Sequence, residues 1–155
     1  MPAIQFPEPA ALKPLLSDLI GKEIFFQDVV RDAPAPADIG EYVTLYVGDD
    51  DEPLMLAGGD IAFCSFSGAA LALVPKGRAE DAIASGEKDE DLFENYLEIM
   101  NVVTRAVNDM GGPHIRLIPG SGAAALADLP EPTDGRTLVA KIDNYGEGNL
   151  SFWKF

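Results

Sequence analysis

The sequence predicts an α+β fold, a mostly antiparallel sheet packed with two long helices. Three observations carry that prediction. Apolar residues recur at helical spacing in PEPAALKPLLSDLIG and, over a longer stretch, from Asp89 to the Gly111-Gly112 pair. Short β-forming runs between them alternate with Gly, Asp and Pro, which suits strands joined by tight turns rather than by long crossovers. Two β-rich runs, TLVAKID and NLSFWKF, are joined through NYGEG as a hairpin candidate. The order helix, strands, helices, strands sets helices against a sheet.

In the first helix Leu12, Leu15, Leu16, Leu19 and Ile20 share a face, and Gly21 stands where a helix stops. Pro14 is expected to limit how far upstream a regular helix runs. EIFFQDVV at 23–30 reads as a strand, and RDAPAPADIG after it as loop. YVTLYV at 42–47, the turn GDDDEP, LML at 54–56 and DIAFCSF at 60–66 read as a meander of short strands. SGAALALVP at 67–75 reads as a short helix capped by Ser67 and stopped by Pro75, followed by a second around AEDAIASG. The long helix starts near Asp89, where acidic residues suit the positive end of the helix dipole, and leaves through the two glycines. HIRLI at 114–118 is a strand, GSGAAALADLPEP a small-residue connection, and the hairpin follows.

With 155 residues and 47% apolar content, the chain fits a single domain spanning 1–155. No apolar run approaches the roughly 20 residues that span a bilayer, and MPAIQFPEPAALKP lacks the basic flank and apolar core of a signal peptide. The expectation is a soluble, cytoplasmic protein. A net charge of −15 opposes polyanionic partners, so neither nucleic acid nor an anionic membrane is expected to bind. Cys64, the one cysteine, lies in the apolar run IAFCSF and reads as a buried, unreactive thiol.

Several chemistries lack their residues. GxxxxGK[ST] and GxGxxG are absent, so nucleotide phosphates have no recognisable cradle. His114 is the one histidine, with no second histidine or cysteine to complete a zinc site with it. GDDDEP lacks the alternating ligands, central glycine and closing glutamate of a calcium loop and reads as an acidic turn. SFSG does not match a nucleophile elbow. Phe152, Trp153 and Phe155 read as core or as a strand-edge dimer contact.

The long helix is the informative element. At about 100° per residue, Phe93, Tyr96, Leu97, Met100, Val103, Thr104, Val107 and Met110 fall within half the circumference and are expected to face the core. Glu94, Glu98, Asn101 and Arg105 fall in a narrow arc on the opposite side. Glu94 and Glu98, one turn apart, repel by a few tenths of a kcal/mol, a cost that suits a surface awaiting a cation. Arg105 can meet a partner carboxylate or, more simply, Asp109.

The pattern Glu94-x3-Glu98-x2-Asn101 resembles the D/S-x3-E-x2-N motif of the CheC/CheX/FliY phosphatases of bacterial chemotaxis, and the element order is similar along most of the chain. A single motif in the second half looks CheX-like. The resemblance implies a CheC/CheX-like fold and a phosphorylated CheY-like receiver domain as partner. It implies that Glu98 anchors a receiver lysine and that Asn101 aligns the water attacking the aspartyl phosphate. It implies no cofactor on this chain, Mg²⁺ belonging to the receiver, and a homodimer formed through the sheets. Glu94 stands where the family has Asp or Ser, and VVTRAVND after Asn101 lacks the family's small residues, so a change in how closely a partner docks is expected. Two other readings share the sequence: a non-catalytic interaction module of the same fold, and an acidic structural or chaperone-like protein whose stripe is only solvated surface.

Overall fold

A computed structural model describes residues 4–31, 33–118 and 126–155. Six strands form one sheet: β1 (Ile24–Arg31), β2 (Val43–Val47), β3 (Pro53–Gly59), β4 (Arg116–Ile118), β5 (Asp134–Ile142) and β6 (Gly146–Lys154). Their order across the sheet is β1-β5-β6-β3-β2-β4, and every neighbouring pair is antiparallel. The predicted α+β class and antiparallel sheet are thus the observed ones.

Strand alternation decides what each face carries. Met55 and Ala57 of β3, Leu138, Ala140 and Ile142 of β5, and Leu150 and Phe152 of β6 point to one side. Three helices cover that side: α1 (Pro9–Ile20), α3 (Ile61–Leu71) and α5 (Glu90–Asn108). Leu12 and Leu16 of α1 are fully buried there, each contributing about 2 kcal/mol. On the opposite side Val43, Leu56 and Trp153 form a smaller cluster with Ile39 and Leu129 against it. The Trp153 indole donates to the Pro34 carbonyl at 2.8 Å, tying a proline-rich segment over this face. Since β6 is central, Phe152 and Trp153 are core residues on its two faces, and the strand-edge alternative is set aside.

The first helix ends as expected, with Gly21 at φ 75° donating its amide to the Ser17 carbonyl. It does not stop for Pro14: it begins at Pro9 and passes through Pro14, forgoing one amide bond early in its length. A further short helix, α2 (Pro36–Ile39), occupies part of the expected loop, and a 3-10 turn at Gly40–Tyr42 leads into β2.

The largest departure is DIAFCSF, expected as a strand. Residues 61–71 are a helix, α3, and Asp60 is its N-cap, its carboxylate accepting from the Phe63 amide at 2.8 Å. Ser67 caps nothing; it is buried inside α3 with its hydroxyl directed to the Cys64 carbonyl. Pro75 precedes rather than ends a helix, α4 (Lys76–Ser85), which closes at Gly86. Of the connection expected at 120–132, residues 120–125 lie outside the described residues.

Candidate functional site

The helix α5 begins at Asp89, whose carboxylate accepts from the amides of Asp91 and Leu92, with Glu90 and Asp91 in its first turn. Acids there meet the free amides and positive dipole end of the helix. Arg78, from α4, spans two of them, donating to Asp89 at 2.8 and 2.9 Å and to Asp91 at 2.9 Å. These bonds hold the Asp89 carboxyl below its usual range. At the other end Asn108 donates to the Ile115 carbonyl and accepts from the Ile115 amide, joining the helix end to the approach to β4.

Three contacts pin the middle. The Asn95 amide donates to the Gly68 carbonyl of α3 at 3.0 Å. The buried Tyr96 hydroxyl donates to the Tyr42 carbonyl and accepts from the Gly59 amide. The buried Tyr46 hydroxyl, rising from β2, donates to the Met100 carbonyl at 2.7 Å. Burial pushes both phenols to higher pKa and keeps them protonated as donors.

The fully buried residues of α5 are Leu92, Tyr96, Ile99, Met100, Val103, Ala106 and Val107. This arc is turned toward Leu92, Ile99 and Ala106 relative to the expected one, leaving Phe93, Leu97, Thr104 and Met110 only half-buried. The rotation sets the predicted stripe more squarely outward. Glu94, Glu98, Asn101 and Arg105 are all exposed, and Asp91 and Asp109 extend the same line at both ends. Asp91, not among the candidates from sequence, belongs to the line by its spacing of three from Glu94.

Among the described residues no group pairs with the side chains of Glu94, Glu98 or Asn101. Arg105 lies 4.0 Å from Asp109, both well exposed, the simpler pairing foreseen for it and worth at most a few tenths of a kcal/mol. The bulk after Asn101 does not face outward: Val103 is buried, and Val102 and Thr104 are half-buried. Arg105 is the next exposed residue. The stripe therefore offers two carboxylates and a neutral amide on a helix fixed at five places along its length. Carboxylates can hold a cation, and an amide can both donate to and accept from a water.

Other sequence candidates fall elsewhere. Cys64 is buried in the core, and burial pushes its thiol well up. His114 is exposed, with Nδ1 3.7 Å from Asp49. It lines a cavity of about 680 Å³ with Asp49, Glu52, Lys154 and Phe155, and none of the stripe residues lines that cavity. GDDDEP forms the β2–β3 turn, with Asp51 at φ 61° and paired with Arg116. Among the described residues no group of three or more His, Cys, Asp or Glu is arranged to hold a metal, and no helix is long and apolar enough to cross a membrane.

No protein-family profile matches the chain, and no curated protein matches it. Solved structures do. A chain of the FliM–SpeE complex from H. pylori matches with a TM-score of 0.65 at 9% identity, over 94% of this chain and 80% of that one. FliY from Thermotoga maritima matches with a TM-score of 0.57 at 15% identity, over 97% of this chain and 85% of that one. The chain has the CheC/CheX/FliY fold. The FliM middle domain from H. pylori shares it, with a TM-score of 0.57 at 8% identity over 94% of this chain and 84% of that one. At such identities the likeness is one of fold. In this fold α5 is packed between the sheet and solvent with the stripe on its outer side.

Proposed function

We propose that this protein binds a phosphorylated CheY-like receiver domain through the outer stripe of α5 and hydrolyses its aspartyl phosphate. Glu98 pairs with a receiver lysine, Asn101 aligns the attacking water, and Glu94 and Arg105 contact the partner on either side. Mg²⁺ and the phosphoaspartate belong to the receiver, so no metal is needed on this chain. An acyl phosphate is already activated, and holding water in line with it lowers the barrier without a strong base. The observation that supports this reading is the exposed, unpaired Glu98 and Asn101, side by side on a helix whose backbone is held from below.

The test is the decay of a magnesium-bound, phosphorylated receiver. The protein is expected to accelerate phosphate loss, and Asn101→Ala to remove most of the acceleration while binding persists. Glu98→Lys is expected to weaken binding. A receiver that binds yet decays at its own rate defeats the catalytic reading.

A second reading, a non-catalytic interaction module, draws support from the fold's occurrence in FliM, whose solved chains include complexes with SpeE and FliG. On this reading the same acidic stripe serves docking alone. A homodimer and a cytoplasmic location accompany both readings as proposals.

A further inference from the structure

Among the described residues one buried side-chain polar atom has no hydrogen-bond partner, the Thr104 hydroxyl oxygen. A threonine inside a helix commonly returns its hydroxyl to the carbonyl four residues back. For Thr104 that carbonyl belongs to Met100, and it is taken. The helix sends the Thr104 amide to it, and Tyr46 sends its hydroxyl to it from the sheet at 2.7 Å. A carbonyl oxygen has two lone pairs, so a third donor finds no place.

We infer that Tyr46 is a positioning residue for Asn101, an assignment that rests on the reading of Glu98 and Asn101 as the site that aligns water. The Met100 carbonyl and the Asn101 amide belong to one rigid peptide plane. Fixing that oxygen from beneath sets the tilt of the plane, and with it the direction in which the Asn101 side chain leaves the outer surface. Tyr46 is suited to this. Its ring is fully buried, and its backbone is held between two strands, paired with Met55 on β3 and Leu117 on β4.

Tyr96 supplies a second anchor one turn earlier, through its bonds to Tyr42 and Gly59. Glu98 sits between the two anchored residues and Asn101 just beyond the second. If the Met100 carbonyl were bonded by Thr104, the number of hydrogen bonds would stay the same but the link from helix to sheet would be lost. The unpaired threonine marks that the sheet, not the threonine hydroxyl, supplies the second donor to this carbonyl.

Tyr46→Phe removes the donor and keeps the ring. With a magnesium-bound, phosphorylated receiver as substrate, the expected result is a five- to tenfold lower kcat with KM for the receiver within twofold, together with a shift of the Asn101 side-chain amide resonances in the ¹⁵N–¹H spectrum. Thr104→Val is expected to leave kcat and those resonances unchanged. 3-Fluorotyrosine at position 46, a stronger donor in nearly the same volume, is expected to move the resonances without loss of fold and serves if Tyr46→Phe does not fold. Unmoved Asn101 resonances with kcat within twofold in a folded variant overturn the assignment. If the native protein does not accelerate phosphate loss, the phosphatase reading fails, and the resonances alone then decide whether Tyr46 orients Asn101.

Discussion

Gly68 of α3 lies against the Leu92 carbonyl of α5 so closely that a Cβ at position 68 would overlap that oxygen. The two helices meet backbone to backbone there, and the Asn95 amide bond to the Gly68 carbonyl closes the contact. Gly68→Ala forces them apart. Overpacking of this kind costs about 1–3 kcal/mol. Urea denaturation is expected to show a loss in that range, larger for Gly68→Val, and on the proposed phosphatase reading the variant is expected to act on the receiver more slowly because α5 moves.

Asp89 both caps α5 and receives Arg78. Asp89→Ala is expected to cost about 1–2 kcal/mol, the usual cost of losing an N-cap. Its charge adds a pH signature. Bonding from Arg78 lowers the folded-state pKa, so the contribution is present above the ordinary carboxylate range and is lost as pH falls through the folded value. The stability gap between the native protein and Asp89→Asn, followed by thermal melting from pH 7 to pH 3, is expected to close at the acid end.

The opposite sign applies to Asp60. Burial raises its pKa, partly offset by the amides of Phe63 and Asn149 that donate to it. An acid whose folded pKa is raised stabilises most below its unfolded pKa and loses that contribution as pH rises through the folded value. Asn can accept the same amide bonds without carrying charge. Asp60→Asn is therefore expected to gain on the native protein as pH rises from 4 to 7, measured as the difference in melting temperature.

Thr104→Val removes a hydroxyl that bonds nothing. Replacing an unsatisfied buried polar group by an apolar one of the same shape is expected to be neutral or to stabilise by up to about 1 kcal/mol. The midpoint of chemical denaturation checks it.

The parts that were legible in the sequence are those with one wet face. α5 was readable because its polar stripe contrasts with its buried arc, and the terminal hairpin because its turn is spelled out in NYGEG. α3 was not, because seven of its eleven residues are buried and a helix packed on most sides loses the 3.6-residue alternation. Phe63, Cys64 and Phe66 then look like strand residues. The available signal was Asp60, a capping residue directly ahead of the apolar run. Gly58 and Gly59 hid the length of β3, since they look like loop yet are strand residues crowded by Ile39 and Phe63. The stripe itself was found from spacing alone. The tyrosine anchors beneath it were not, because Tyr46 and Met100 lie 54 residues apart and only the fold brings them together.

The central place of β6 bears on how the chain reaches its fold. β6 joins β3 to β5, pairing Gly59 with Leu150 across more than half the chain. Neither half of the sheet can be zipped to the other until this strand is in place, so collapse must wait on a long loop closure, and contacts of such range make folding slow. A chain shortened ahead of Gly146 leaves β3 and β5 as open edges with apolar residues on them, the state most prone to pair with another chain. Only β6 makes the sheet continuous, and the β3–β2–β4 half that carries Tyr46 joins the β1–β5 half through it alone.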